Sequence, residues 1–117
     1  MKIINIEYPT TLEKVDRYDD NIDVFVKLED GNTYNLVVTT PKNYYTYMEK
    51  EGVNYIPASP PDIIVKELTN EIITAAIKSY LDNQAFWLKV YYLCGLRSST
   101  FNMENLDRDL QELKNNY

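Results

Sequence analysis

Between Ile22 and Thr39 the chain is restricted to one local shape. In Ile22-Asp23-Val24-Phe25-Val26-Lys27-Leu28-Glu29, apolar residues at 22, 24, 26 and 28 alternate with polar residues at 23, 27 and 29. A period of two puts successive side chains on opposite faces, so this is a strand with one buried face. Phe25 interrupts the polar face and is expected to cover a second surface. Asp30-Gly31-Asn32 follows as a turn, with glycine free to take positive φ. Thr33 to Thr39 resumes the alternation with Tyr34, Leu36 and Val38 on one side. The two runs form a β-hairpin with a sticky face that something else must cover.

The segments before and after the hairpin read less uniformly. Lys2 to Glu7 is short and β-branched, a further strand, and Thr11 to Arg17 is a weaker strand candidate after Pro9. Thr40-Pro41 opens a helix, because threonine caps a helix start and proline fits the first turn. Tyr44, Tyr45, Tyr47 and Met48 line that helix, and Gly52 sits where a left-handed C-cap belongs. Val53 to Ile56 and Ile63 to Leu68 are read as short strands on either side of an extended loop, Pro57-Ala58-Ser59-Pro60-Pro61.

From Thr69 the period becomes helical. Thr69 caps a helix carrying Glu71 in its first turn, with Ile72, Ile73, Ala76, Ile77, Tyr80 and Leu81 on one face. Ala85 to Cys94 is apolar nearly all round, with Lys89 its only charge, so burial or an oligomer interface is expected, with Gly95 as its end. Asn102 caps a last helix in which Met103, Leu106, Leu110 and Leu113 recur at helical spacing. That stripe could dock on the sheet or on another subunit. The expected fold is α+β, an N-terminal antiparallel β-sheet with C-terminal helices packed on it. One domain spans 1–117: 1–68 mostly antiparallel sheet with one short helix, 69–117 helical.

Composition narrows the chemistry. The 117 residues include no histidine and one cysteine, Cys94. Histidine bases, histidine metal ligands, Cys-His pairs and internal disulfides are therefore excluded. Walker and dinucleotide-binding glycine motifs and the nucleophile elbow are missing too. Asp19-Asp20 and Asp107-Arg108-Asp109 are the only carboxylate clusters, and a solvated turn is the commoner home for such acids. No catalytic residue, metal site or cofactor is expected. With 12 basic against 18 acidic residues the net charge is −6, which disfavours DNA or RNA duplexes. Nothing approaches the roughly 20 apolar residues of a membrane span. The start of the chain carries no secretory pattern, and a cytoplasmic location is the expectation.

One constellation has the parts of a small-ligand pocket. Phe86, Trp87, Tyr91 and Tyr92 offer aromatic faces. Arg97 is one of three arginines, and Ser98, Ser99 and Thr100 bring hydroxyls ahead of a helix start at Asn102. Unpaired N–H groups and partial positive charge at a helix start favour phosphate, arginine adds a planar two-donor fork, and an aromatic ring stacks on a purine. Asn83, Phe86, Tyr91, Arg97, Ser98, Thr100, Phe101 and Asn102 are the candidate ligand-binding residues. The same run also reads as a buried aromatic helix, a polar loop and a capped helix, which is the commoner use of aromatic residues at helical spacing.

The order of parts resembles a known group. An N-terminal antiparallel sheet is followed by Thr40-Pro41-Lys42-Asn43, then Ile63-Ile64-Val65-Lys66-Glu67-Leu68-Thr69, then helices containing Phe86-Trp87-Leu88-Lys89. This order is similar to that of the phage anti-Thoeris sponge proteins. The resemblance implies a non-enzymatic homo-oligomer that sequesters a cyclic ADP-ribose isomer, the signal of a bacterial anti-phage defence. It also implies action in the host cell cytoplasm if the gene is phage-encoded. Arg97, Phe101 and Asn102 are chosen here on their chemistry and not carried over from that group. The other reading the composition allows is a small acidic immunity protein that masks a basic toxin through Asp16 to Asp23 and Glu104 to Glu112.

Overall fold

The computed structural model describes residues 1–57, 62–96 and 103–116. The hairpin is present as read, with strands β2 (Asn21–Leu28) and β3 (Thr33–Thr39) paired antiparallel so that Val24 faces Leu36 and Val26 faces Tyr34. Its turn is closed by the Gly31 N–H to the Leu28 carbonyl at 3.0 Å and the Leu28 N–H to the Asn32 carbonyl at 3.1 Å. Gly31 takes φ +85°, a region open to glycine and costly for other residues. Asp30 fastens the turn from the side: one carboxylate oxygen accepts from the Asn32 N–H at 2.9 Å and the other from the Tyr34 hydroxyl at 2.8 Å.

Strand β1 (Ile3–Glu7) pairs antiparallel with β2, with an irregularity between Ile3 and Asn5. Strand β4 (Ile63–Ile64) lies beside β3, giving the order β1-β2-β3-β4. This last pairing is parallel, with Val38 beside Ile63 and Thr39 beside Ile64, so the sheet is mixed and not wholly antiparallel. A parallel neighbour needs a crossover, and here it runs through helix α1 (Pro41–Glu51). Thr40 caps α1 by accepting the Asn43 N–H at 3.3 Å, and Gly52 closes it at φ +67°.

Three short segments differ from the sequence reading. Thr11 to Arg17 is not a strand. It holds one 3-10 turn (Leu12–Lys14), and Asp16 then accepts the N–H groups of Tyr18 and Asp19, bending the chain into a side-chain-capped turn. Val53 to Ile56 is exposed and pairs with no strand among the described residues. Ile63 to Leu68 is extended for only two residues because β3 ends at Thr39: the Val65 N–H reaches the Thr39 carbonyl at 2.9 Å, and no β3 backbone remains beyond it. The Leu68 N–H instead bonds the Arg17 carbonyl at 2.8 Å, and Arg17 grips the Glu67 carboxylate at 2.8 and 2.9 Å. Of the loop 57–61, residues 58–61 lie outside the described residues.

Helix α2 (Asn70–Lys78) starts at the Thr69 hydroxyl, which accepts the Ile72 N–H at 3.2 Å. It lays Ile73 and Ile77 across the inner face of the sheet. With Ile22, Val24, Val26, Leu28, Leu36, Val38, Ile63, Val65, Leu68, Leu81, Ala85 and Leu88 they form one buried core. The opposite face of the sheet, with Asp23, Lys27, Asn35 and Val37, stays open to solvent. Phe25 on that side is half-buried. The molecule is thus α+β, a sheet covered on one face by helices.

Helix α3 (Asp82–Leu96) runs on through Gly95. Helix α4 (Met103–Asn115) does not dock on the sheet: every one of its residues is exposed. Among the described residues no helix is long and apolar enough to cross a membrane.

Ile77 is fully buried at the centre of the core. Replacing it by alanine is expected to lower unfolding free energy by about 2–5 kcal/mol, because the transfer energy is lost and a cavity is left. Val37→Ala, on the open face, should cost well under half as much. Urea denaturation of the two variants checks the sidedness of the sheet.

Candidate ligand-binding face

The site is set by how the chain turns out of α2. Tyr80 and Leu81 follow the helix, and then Asn83, Gln84 and Ala85 take φ values of +53°, +57° and +60°. Three successive non-glycine residues form one left-handed turn. Each such residue is disfavoured by roughly 1–2 kcal/mol, least so for asparagine. The turn is held at both ends by the core: Leu81 and Ala85 are buried, and the Ala85 N–H bonds the Leu81 carbonyl at 3.0 Å.

Burial of Ala85 then fixes the rotation of α3. One turn on, Leu88 is also buried, and Tyr92 packs inward with its ring edge on Tyr34, centroids 5.1 Å apart. Lys89 reaches back to Asp30 at 3.6 Å and ties α3 to the hairpin turn. The hydrogen bond from the Asn32 N–H, followed by that from the Tyr34 hydroxyl, holds the Asp30 carboxyl below its ordinary range. Phe86 and Trp87 are thereby turned outward, with 48% and 56% of their surfaces exposed.

These outward rings are in mutual contact. Phe86 meets Trp87 edge-on at 5.3 Å, Trp87 lies tilted against Tyr91 at 6.0 Å, and Tyr91 meets Tyr80 edge-on at 5.7 Å. Burial, with Tyr91 adding to it, pushes the Tyr80 hydroxyl above its ordinary value, so that hydroxyl stays protonated at neutral pH. At the same corner between α2 and α3, a shallow 460 Å³ cavity is lined by Met1, Lys2, Ile3, Lys78, Leu81 and Asp82. The side chains of Lys2, Lys78 and Asp82 thus line a cavity at the α2–α3 junction, and none of the four clustered rings is part of its lining.

Of the residues expected to bind ligand, Phe86 and Tyr91 belong to this cluster, joined through Trp87. Asn83 is exposed within the left-handed turn. Arg97, Ser98, Thr100, Phe101 and Asn102 lie outside the described residues. Tyr92, counted above among the available aromatic faces, points the other way into the core. Tyr80, Lys2 and Lys78 were not among the expected site residues. Tyr80 reads from the sequence only as the end of an apolar helical face, and the two lysines, 76 positions apart in the chain, meet only in the folded cavity.

The carboxylates do structural work. Asp19 accepts from the Thr46 hydroxyl at 2.8 Å and from the Asn43 side chain at 3.1 Å, which pulls its pKa down and holds α1 against the 16–20 loop. Asp20 accepts the N–H groups of Asp16 and Asn21. Tyr44 donates to Asp62 at 3.0 Å, and burial together with that bond raises its pKa to about 12. Among the described residues no group of three or more histidine, cysteine, aspartate or glutamate side chains could hold a metal ion.

No protein-family model, curated protein or solved structure matches the chain.

Gln84 is exposed at φ +57°, so the left-handed turn is open to a direct test. Gln84→Gly should leave stability unchanged or raise it by up to about 1 kcal/mol, relief of the backbone offsetting the extra freedom of the unfolded chain. Gln84→Val, β-branched, should lower it by at least about 1 kcal/mol. Thermal denaturation of both variants reads the sign.

Proposed function

We propose that this chain is a non-enzymatic binding protein that sequesters a small nucleotide signal of the cyclic ADP-ribose type on the aromatic face of α3. In this reading it blunts the bacterial defence that makes the signal. The observation that carries the reading is the four-ring cluster in which exposed Phe86 and Trp87 lean on half-buried Tyr91 and Tyr80. Water is a poor neighbour for so much ring surface, while a purine is a good one, and stacking is worth roughly 1–3 kcal/mol per base. Lys2 and Lys78, which line the cavity at the α2–α3 junction together with Asp82, supply positive charge suited to a diphosphate. Holding a ligand without cleaving it asks for no base, nucleophile or metal, and the adjacent carboxylates Asp19 and Asp20 are taken up by hydrogen bonds to the chain's own loop and to α1.

One observation favours the second reading, an acidic immunity protein. Glu104, Asp107, Asp109 and Glu112 stand exposed along α4, and none makes an ion pair among the described residues. Such a face attracts a basic toxin and speeds encounter. Within this reading α4 carries the interface, because Asp16, Asp19 and Asp20 already bond to the chain itself.

Trp87 is the chain's only tryptophan, so its fluorescence reports directly on the face. Titration with cyclic ADP-ribose isomers is expected to quench it, with the ligand recovered intact after heat denaturation. Trp87→Ala, read by calorimetry, should weaken binding by about 5- to 150-fold without lowering the melting temperature much. Absence of any quenching or thermal shift across the isomers would discard the nucleotide reading. Slower association with a basic toxin after Glu104→Lys and Glu112→Lys would install the other.

A further inference from the structure

Helix α4 carries a seam with no partner among the described residues of its own protomer. Met103, Leu106, Leu110 and Leu113 are spaced three, four and three apart, the a and d positions of two heptads. They are 57%, 38%, 63% and 52% exposed. A helix of 13 residues, about 20 Å long, is marginal on its own in water. It needs a surface to lie against, and neither the sheet nor α2 provides one.

We propose that the occupant is α4 of a second copy of this chain, lying parallel and in register as a short two-stranded zipper. The charges beside the seam choose this arrangement. With Met103 and Leu110 at a, Asp107 and Lys114 fall at e and Asp109 at g. In a parallel pair a g residue faces the e residue five positions on in the other strand. Asp109 of each protomer then faces Lys114 of its partner, giving two opposite-sign pairs related by the twofold axis. Reversing one helix so that a and d still interleave sets Asp107 against Asp107 and Asp109 against Asp109, two like-charge contacts. Asp109 and Lys114 make no ion pair among the described residues, so both are available. The side-chain bond from Gln111 to Asn115 at 3.3 Å joins positions b and f, away from the seam. An isologous pair of this kind closes on itself and builds no filament.

The pairing does not depend on the nucleotide reading: ligand binding is read at Trp87 and assembly at α4. Analytical ultracentrifugation of the full chain should show a dimer. Leu106→Asp with Leu110→Asp should leave a monomer whose far-ultraviolet circular dichroism outside the loss of α4, and whose Trp87 fluorescence, are retained. Lys114→Glu should raise the dimer dissociation constant about tenfold, and adding Asp109→Lys to it should restore most of the loss. Direction is read by cross-linking. On a Cys94→Ser background, thiols introduced by Leu113→Cys should join to each other on oxidation. A monomeric wild-type chain, a dimer that survives the double aspartate substitution, or thiols at 113 that join only to thiols introduced by Met103→Cys would overturn the proposal. Persistence of the dimer without any cross-link at 113 would assign the contact to another face and overturn it equally.

Discussion

The fold depends on a sheet with one apolar face that helices must cover and one polar face that stays open to solvent. Ile22, Val24, Val26, Leu28, Tyr34, Leu36 and Val38 project to the same side of the central hairpin and are buried there. Removing that much apolar surface from water is the largest favourable contribution available to a chain of this size. It requires a cover, which α2 supplies through Ile73 and Ile77, and α3 through Ala85 and Leu88. Helix α1 contributes no buried residue. It is held by hydrogen bonds from Thr46 and Asn43 to Asp19 and from Tyr44 to Asp62, and its architectural service is to carry the chain across to β4.

How legible each part was follows from the range of the forces that form it. The hairpin, the Thr40 and Thr69 caps and the Gly52 terminus rest on contacts within a few residues, so they could be read directly from the letters. The parallel pairing of Ile63 and Ile64 could not, because it exists only once α1 has crossed over and is cut short by the end of β3. The bonds from Asn43 and Thr46 to Asp19 span 24 and 27 residues and leave no local mark. Asp19 therefore read as an idle surface acid, although it anchors a helix.

The candidate site shows the same limit in another form. A helix apolar on all sides has no preferred face of its own, so the run from Ala85 to Cys94 said that something would be buried and did not say which residues. Phase came from outside, when the left-handed turn at Asn83, Gln84 and Ala85 brought Ala85 under the sheet. Of those three residues only asparagine signals that conformation. With the phase set, Tyr92 goes inward to Tyr34 and Phe86 and Trp87 go outward. The aromatic face is thus a consequence of core packing, and Tyr80 joins it from the preceding helix.

That origin bears on what the face is for. A turn disfavoured at three successive residues persists only where surrounding contacts over-determine it. Leu81, Ala85 and Leu88 supply them, yet the cheapest cover for the sheet would be a smoothly capped helix with polar residues outside. The actual arrangement places rigid rings, not flexible aliphatic chains, on the exposed side, and rings offer broad apolar area with few torsions to freeze on binding. On α4 the exposed apolar residues are instead leucine and methionine in a narrow row flanked by charge. Flat rings in a patch suit a planar ligand, and a narrow row of unbranched and γ-branched chains suits another helix. The C-terminal third therefore presents two chemically different surfaces, and the difference between them is the strongest physical reason to assign them separate partners.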